Sequence, residues 1–302
     1  MPAEIINGNQ MAAEVRSEVK AGVEALKTER GIVPGLAVVL VGENPASVSY
    51  VRGKERDGIE AGFHAETIRR PADISQDALL ALVADLNADD RYHGILVQLP
   101  LPPHIDAEAV LESVNPRKDV DGLHSTNMGL LLKGQGRLAP CTARGVQQML
   151  LRSGHSPEGK HVVICGRSNL VSKPLAALLI QKAPGANATV TICHTGTRDL
   201  ARFTQQADIL VAAMGAPRAI TAEMVREGSV VIDVGVNRVE DTSKKSGFKL
   251  IGDVDFGPVA EKAAAITPVP GGVGPMTRAM LLVNTLNAAC AEAERRAGRN
   301  KQ

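Results

Sequence analysis

No Cys-x-x-Cys pair, no apolar run of membrane length and no excess of charge of either sign occur in this chain of 302 residues. The four cysteines, Cys141, Cys165, Cys193 and Cys290, are widely spread, the pattern of reduced thiols rather than of a disulfide scaffold or a zinc site. The longest strand-like apolar run, Leu36 to Val41, has six residues against the roughly 18 that a membrane helix needs. Lysine and arginine number 34 against 33 aspartates and glutamates, a net charge of +1. No field therefore draws nucleic acid or an anionic membrane surface. Met1 to Glu4 lack the basic-then-apolar pattern of a secretory leader. A cytoplasmic location is expected, with neither nucleic acid nor a membrane as partner. Metal-ligand spacing such as His-Glu-x-x-His is also missing among the seven histidines, and no metal is expected.

What is present is apolar material for a core, 44% of the chain, and a length that corresponds to two domains at roughly 150 residues each. In the first half, Met11, Val15, Val19, Val23 and Leu26 form a helical stripe. A strand is expected at Leu36–Val41, a helix from about Ala46 to Ala61 and a strand near Ala65–Ile68. Ser75 is placed to cap a further helix, and a strand at Gly94–Gln98 stops at Pro100. From Gly159 a second alternation begins, with strands at Val162–Cys165, Thr189–Cys193, Ile209–Ala213 and Val230–Val234. Helices are expected between them at Lys173–Lys182, Asp199–Gln206 and Thr221–Arg226. Glu240 to Gly247 reads as a solvated loop, and a long helix from about Thr277 to Arg296 closes the chain. This rhythm predicts an α/β fold of mostly parallel sheets, the second half doubly wound as in nucleotide-binding domains.

Ligands of such sheets sit beyond the carboxyl ends of the strands. Val162–Cys165 is followed by Gly166, Arg167 and Ser168, then Pro174 in a helix. A tight glycine turn into a helix N-terminus suits a phosphate, although an ordinary strand-to-helix turn has the same form. The next strand ends at Cys193 with no carboxylate before Asp199, where an NAD site usually carries one. Arg167, Thr195 and Arg198 can instead donate to a 2′-phosphate, which favours NADP.

Tyr50 and Lys54 lie four apart on one helix face. They form either a stacking platform beside a proton carrier or a half-buried tyrosine beside a solvated lysine. Gln98 at its strand end and Asp121 within Lys118-Asp-Val-Asp-Gly122 are placed to hydrogen-bond a heterocycle edge, or to satisfy their own loops. Three glycines and three prolines in Pro268–Pro275 make a stiff loop that a flat ligand can approach.

Taken together, these segments resemble the bifunctional methylenetetrahydrofolate dehydrogenase/cyclohydrolase family, FolD. The matching pieces run in order from Gly42-Glu-Asn-Pro-Ala-Ser47 and Tyr50-Val-Arg-Gly-Lys54 through Gly94–Pro102, Lys118–Gly122 and Pro140-Cys-Thr142. They continue with Gly166–Val171, Asp233-Val-Gly-Val-Asn237 and Pro268–Thr277. The resemblance implies two α/β domains with a cleft between them, a folate-binding catalytic domain of residues 1–140 plus 277–302 and a Rossmann-type domain of residues 141–276. It implies NADP-dependent oxidation of 5,10-methylenetetrahydrofolate, hydrolysis of the methenyl product to 10-formyltetrahydrofolate, and a homodimer. By match of motif, Lys54 is the catalytic lysine, Tyr50 stacks on the folate, Gln98 supports both, and Asp121 holds the pterin edge. Val269, Pro270, Gly271 and Gly272 line the folate site, and Gly166, Arg167, Ser168, Thr195 and Val236 bind the cofactor. Two departures stand out: Ala143 where the family usually has proline, and Ser172 where it usually has glycine. Ser172 opens the alternative of a cyclohydrolase with weak or no dehydrogenase activity, because a side chain there either obstructs the cofactor or supplies it with a hydroxyl.

Overall fold

Short apolar runs bounded by glycine and proline make the strands of this protein, and longer stretches with apolar residues three and four apart make its helices. The computed structural model describes residues 2–243 and 247–299. In chain order the elements are β1 (Glu4–Ile5), α1 (Gly8–Arg30), β2 (Gly35–Val41), α2 (Pro45–Glu60), β3 (His64–Arg70), α3 (Gln76–Ala88), β4 (Gly94–Val97), α4 (Ala107–Ser113), α5 (Ser125–Leu132) and α6 (Cys141–Arg152). There follow β5 (His161–Cys165), α7 (Ser172–Leu179), β6 (Thr189–Cys193), α8 (Leu200–Thr204), β7 (Ile209–Ala212), β8 (Val230–Asp233), β9 (Asn237–Glu240), β10 (Phe248–Ile251), α9 (Phe256–Ala260), β11 (Ala265–Ile266) and α10 (Val273–Arg299).

The chain divides into two units. One comprises Ala13–Cys141 and Arg278–Gln302, the other Met1–Ala12 and Thr142–Thr277. The first holds a parallel three-stranded sheet in the order β3-β2-β4. Every residue of β2 and β4 is buried, as expected of parallel strands covered on both faces. The chain leaves β2 for β3 on one side and reaches β4 on the other, so the carboxyl ends of β2 and β4 flank a topological switch point. The second unit holds a parallel six-stranded sheet in the order β1-β11-β8-β7-β5-β6. Its own switch point lies between β5 and β7. The α/β class and the Rossmann-like character of the second sheet follow from this topology.

Several expectations change. Residues 2–12 group with the unit of the six-stranded sheet. The reason is that Glu4 and Ile5 pair in parallel with Ala265 and Ile266, and Ala3 packs in that unit's core. Thr221–Arg226 is not a helix; it holds one 3-10 turn, Ala222–Met224. Val225 turns extended and is fully buried, and a segment this short does not repay helix nucleation against such burial. Glu240 closes β9, whose antiparallel partner β10 follows; residues 244–246 of the expected loop lie outside the described residues. The closing helix starts earlier, at Val273.

Candidate active site

Asn44 caps α2, its side chain accepting from the Ala46 and Ser47 amides, and Pro45 takes the first helical turn, where its missing N–H costs nothing. The buried residues Ser47, Val51, Lys54 and Gly58 fall four, three and four apart, so Lys54 sits on the inward stripe of the helix. It is 6% exposed. The same helix is tied down by Asp57, whose Oδ2 lies 3.3 Å from Nε of Arg278. Gly53 leaves room for that guanidinium, because a Cβ there would stand 2.3 Å from Nη1.

A buried ammonium needs partners. Nζ of Lys54 donates to Oε1 of Gln98 at 3.0 Å, and it stands 5.1 Å from the centre of the Tyr50 ring. The Gln98 side chain is itself held, its Nε2 donating to the Leu99 carbonyl at 2.6 Å, and its amide continues the ladder to Val39 at 2.9 Å. Burial pushes the Lys54 pKa down, while the charge of Asp121 opposes that shift. The structure therefore brings Tyr50, Lys54, Gln98 and Asp121 into one cluster beyond the carboxyl ends of β2 and β4.

In the other unit, Gly166 follows β5 with φ of 141°. A Cβ there would stand 2.3 Å from the Ala213 carbonyl at the end of β7, so only glycine fits at this switch point. Arg167 donates to the Thr195 hydroxyl at 3.1 Å, both exposed, and Ser168 Oγ accepts from the Val171 amide. Among the described residues no side chain caps α7, so its N-terminus beside two exposed donors suits a phosphate. Val236 is 60% exposed. This donor set fits a dinucleotide. Ser172 is fully buried, and its Oγ has no hydrogen-bond partner among the described residues. That oxygen packs under the Gly166 turn, 2.6 Å from where a Cβ would be. Val269 to Gly272 form the turn after β11, with Gly271 at φ of 101° and its carbonyl accepting from the Asn9 amide at 3.2 Å.

Two family models cover most of the chain: tetrahydrofolate dehydrogenase/cyclohydrolase, catalytic domain, over residues 6–121, and its NAD(P)-binding domain over residues 140–293. The chain belongs to the tetrahydrofolate dehydrogenase/cyclohydrolase family. It is a bifunctional enzyme of folate one-carbon metabolism. The bifunctional protein FolD of Syntrophus aciditrophicus is 56% identical over 289 residues, 96% of this chain and 98% of the relative. The crystal structure of FolD from Campylobacter jejuni is 45% identical with a TM-score of 0.90, over 96% of this chain and 99% of that one. The FolD of Trypanosoma brucei, solved with NADP cofactor and inhibitor, is 39% identical with a TM-score of 0.91, over 97% and 99%.

Asp253 lies outside the sequence motifs. It is fully buried and accepts from the amides of Met214, Gly215 and Ala216 at 2.6–2.9 Å and from Nδ2 of Asn237 at 2.8 Å. It thereby shapes the loop after β7. A lone aspartate in Gly252-Asp253-Val254 carries no local signal of that role. Among the described residues no three His, Cys, Asp or Glu side chains converge as a metal site requires, and no helix is long and apolar enough to cross a membrane.

Proposed function

We propose that the chain oxidises 5,10-methylenetetrahydrofolate with NADP⁺ and then hydrolyses the methenyl product to 10-formyltetrahydrofolate. The observation that carries the reading is the buried Lys54 held by Gln98 beside Tyr50. NADP⁺ is the hydride acceptor when bound, with Gly166, Arg167, Ser168, Thr195 and Val236 its assigned contacts. NADP rather than NAD is supported by the exposed Arg167–Thr195 pair and by the cofactor named in the trypanosomal structure.

Hydride loss leaves a delocalised cation on the folate, so the first step asks for orientation rather than for an acid. Tyr50 offers a face for the folate ring system, Asp121 an acceptor for its pterin edge, and the Val269–Gly272 turn is assigned to folate as well. Hydrolysis requires proton management. Burial favours the neutral form of Lys54, and a cationic substrate nearby favours it further. Neutral Nζ takes a proton as water adds to the methenyl carbon. The bond from that carbon to the ring nitrogen then breaks, with a proton delivered to the nitrogen and the formyl group left on the other. Gln98 keeps Nζ aimed throughout.

The family resemblance further supports a homodimer, a cytoplasmic location and a product destined for purine biosynthesis. An absorbance assay with 5,10-methylenetetrahydrofolate, run in parallel with NADP⁺ and NAD⁺, tests the chemistry. NADP⁺ reduction with methenyl passing on to the formyl product is expected. Hydrolysis of added methenyltetrahydrofolate without any nicotinamide reduction would overturn the bifunctional reading.

A further inference from the structure

Helix α10 carries a buried amide, Asn284, 2% exposed, that the chemistry above does not use. Its Nδ2 lies 2.9 Å from the Val120 carbonyl, 2.9 Å from the Ala139 carbonyl and 3.6 Å from the Cys141 sulfur. An amide has two N–H groups, so the two short contacts to carbonyls use them and the sulfur shares one weakly. The acceptors come from two separate stretches of chain, and Val120 immediately precedes Asp121. The Cys141 thiol donates to that same Val120 carbonyl at 3.2 Å. At Gly122, with φ of 74°, a Cβ would stand 2.5 Å from the Ala139 carbonyl carbon, so the two stretches touch on both sides of Asp121. Asp119 secures the far side, accepting from the amides of Gly122, Leu123 and His124.

We infer that Asn284 is a positioning residue for the reaction: it clamps the Val120–Asp121 backbone to Ala139–Cys141, which holds the Asp121 carboxylate toward Lys54 and the folate. The inference rests on the proposed roles of Lys54 and Asp121. The groups facing Lys54 are Gln98, the Tyr50 ring, Asp121 and Cys141. Burial pushes the Cys141 thiol well up, so it stays protonated near neutral pH and Asp121 is the anion that matters. Releasing Asp121 removes a group that favours charged Lys54.

The test compares Asn284→Ala, Asp121→Asn and the double variant in hydrolysis of methenyltetrahydrofolate across pH. NADP⁺ binding is followed by calorimetry and folding by circular dichroism. Asn284→Ala is expected to raise the folate KM about tenfold and to move the low-pH limb of kcat down by half a pH unit or more, with NADP⁺ affinity within twofold. In the Asp121→Asn background the same change should cost less than threefold, because one clamp serves one carboxylate. Should Asn284→Ala fail to fold, Asn284→Ser, which retains a short donor, carries the same comparison. Unchanged folate KM and pH limb in a folded Asn284 variant, or full additivity with Asp121→Asn, would overturn the inference. Wild-type folate KM in Asp121→Asn alone would instead overturn the role given to Asp121.

Discussion

Nζ of Lys54 is 3.0 Å from Oε1 of Gln98, and the other end of that amide is engaged by the Leu99 carbonyl. The amide cannot turn to present its N–H₂ to the lysine without losing both bonds, so it presents an oxygen and the lysine has a fixed direction. The lysine's depressed pKa and its orientation therefore have separate sources: burial in the α2 stripe for the first, a held amide for the second.

Lys54→Met keeps the length of the side chain and removes the base. Methenyl hydrolysis should fall by about 10² or more, the usual contribution of a positioned general base. Stopped-flow absorbance on added methenyltetrahydrofolate reads this directly, and near-wild-type hydrolysis would exclude the role.

Gln98→Glu replaces the held oxygen by a carboxylate of nearly the same shape. An opposite charge at hydrogen-bond distance favours protonated Lys54, so the low-pH limb of hydrolysis should move to higher pH. A rate against pH series from 5 to 9 decides it; a limb displaced downward contradicts the assignment.

Asp121→Ala should weaken folate binding about tenfold, roughly 1.4 kcal/mol, because an acceptor for the pterin edge is lost. NADP⁺ affinity should stay within twofold. Calorimetric titrations with each ligand make the comparison, and equal losses would refute it.

Ser172→Ala deletes a buried hydroxyl that has no partner among the described residues. An unsatisfied buried polar group costs about 1–3 kcal/mol, so urea unfolding should show a gain of about 1 kcal/mol. NADP⁺ affinity is expected to hold. A loss of fivefold or more would mean that the hydroxyl reaches the cofactor.

His93 accepts the Gly35 amide on Nδ1 at 3.0 Å, which demands a neutral ring. Burial, with Lys118 and Arg296 nearby, lowers its pKa to about 4 from 6.5. The folded state thus binds the proton more weakly than the unfolded chain, and stability is lost as pH falls from 6.5 toward 4. The full loss is about 3 kcal/mol at 1.36 kcal/mol per unit. His93→Asn keeps an acceptor for Gly35 without titrating there, so its urea midpoint should decline less over that window than that of the wild type.

Much of this protein is local and hence legible in the residues themselves. The buried strands β2, β4 and β5, the Asn44-Pro45 start of α2 and the glycine turn at Gly166 depend on neighbours within a few positions. Tyr50 and Lys54 share a helix face by spacing alone. Periodicity did not reveal the inward direction of Lys54, since a charged residue on an apolar stripe reads equally well as solvated. Nor did it reveal β1, two residues long, whose strand exists because Ala265 and Ile266 offer it an edge. Asp253 and Asn284 are the strongest cases. Each is a polar side chain whose function is to satisfy main-chain groups brought close by the fold, three amides for one and two carbonyls for the other. Backbone groups carry no residue identity, so their pairing leaves no pattern in the chain. Most of the elements, the family and the chemically able residues can be read from the order of the amino acids. Which of them are buried, which face one another and what holds them there come from the folded chain, because burial and hydrogen bonding depend on contacts between distant segments.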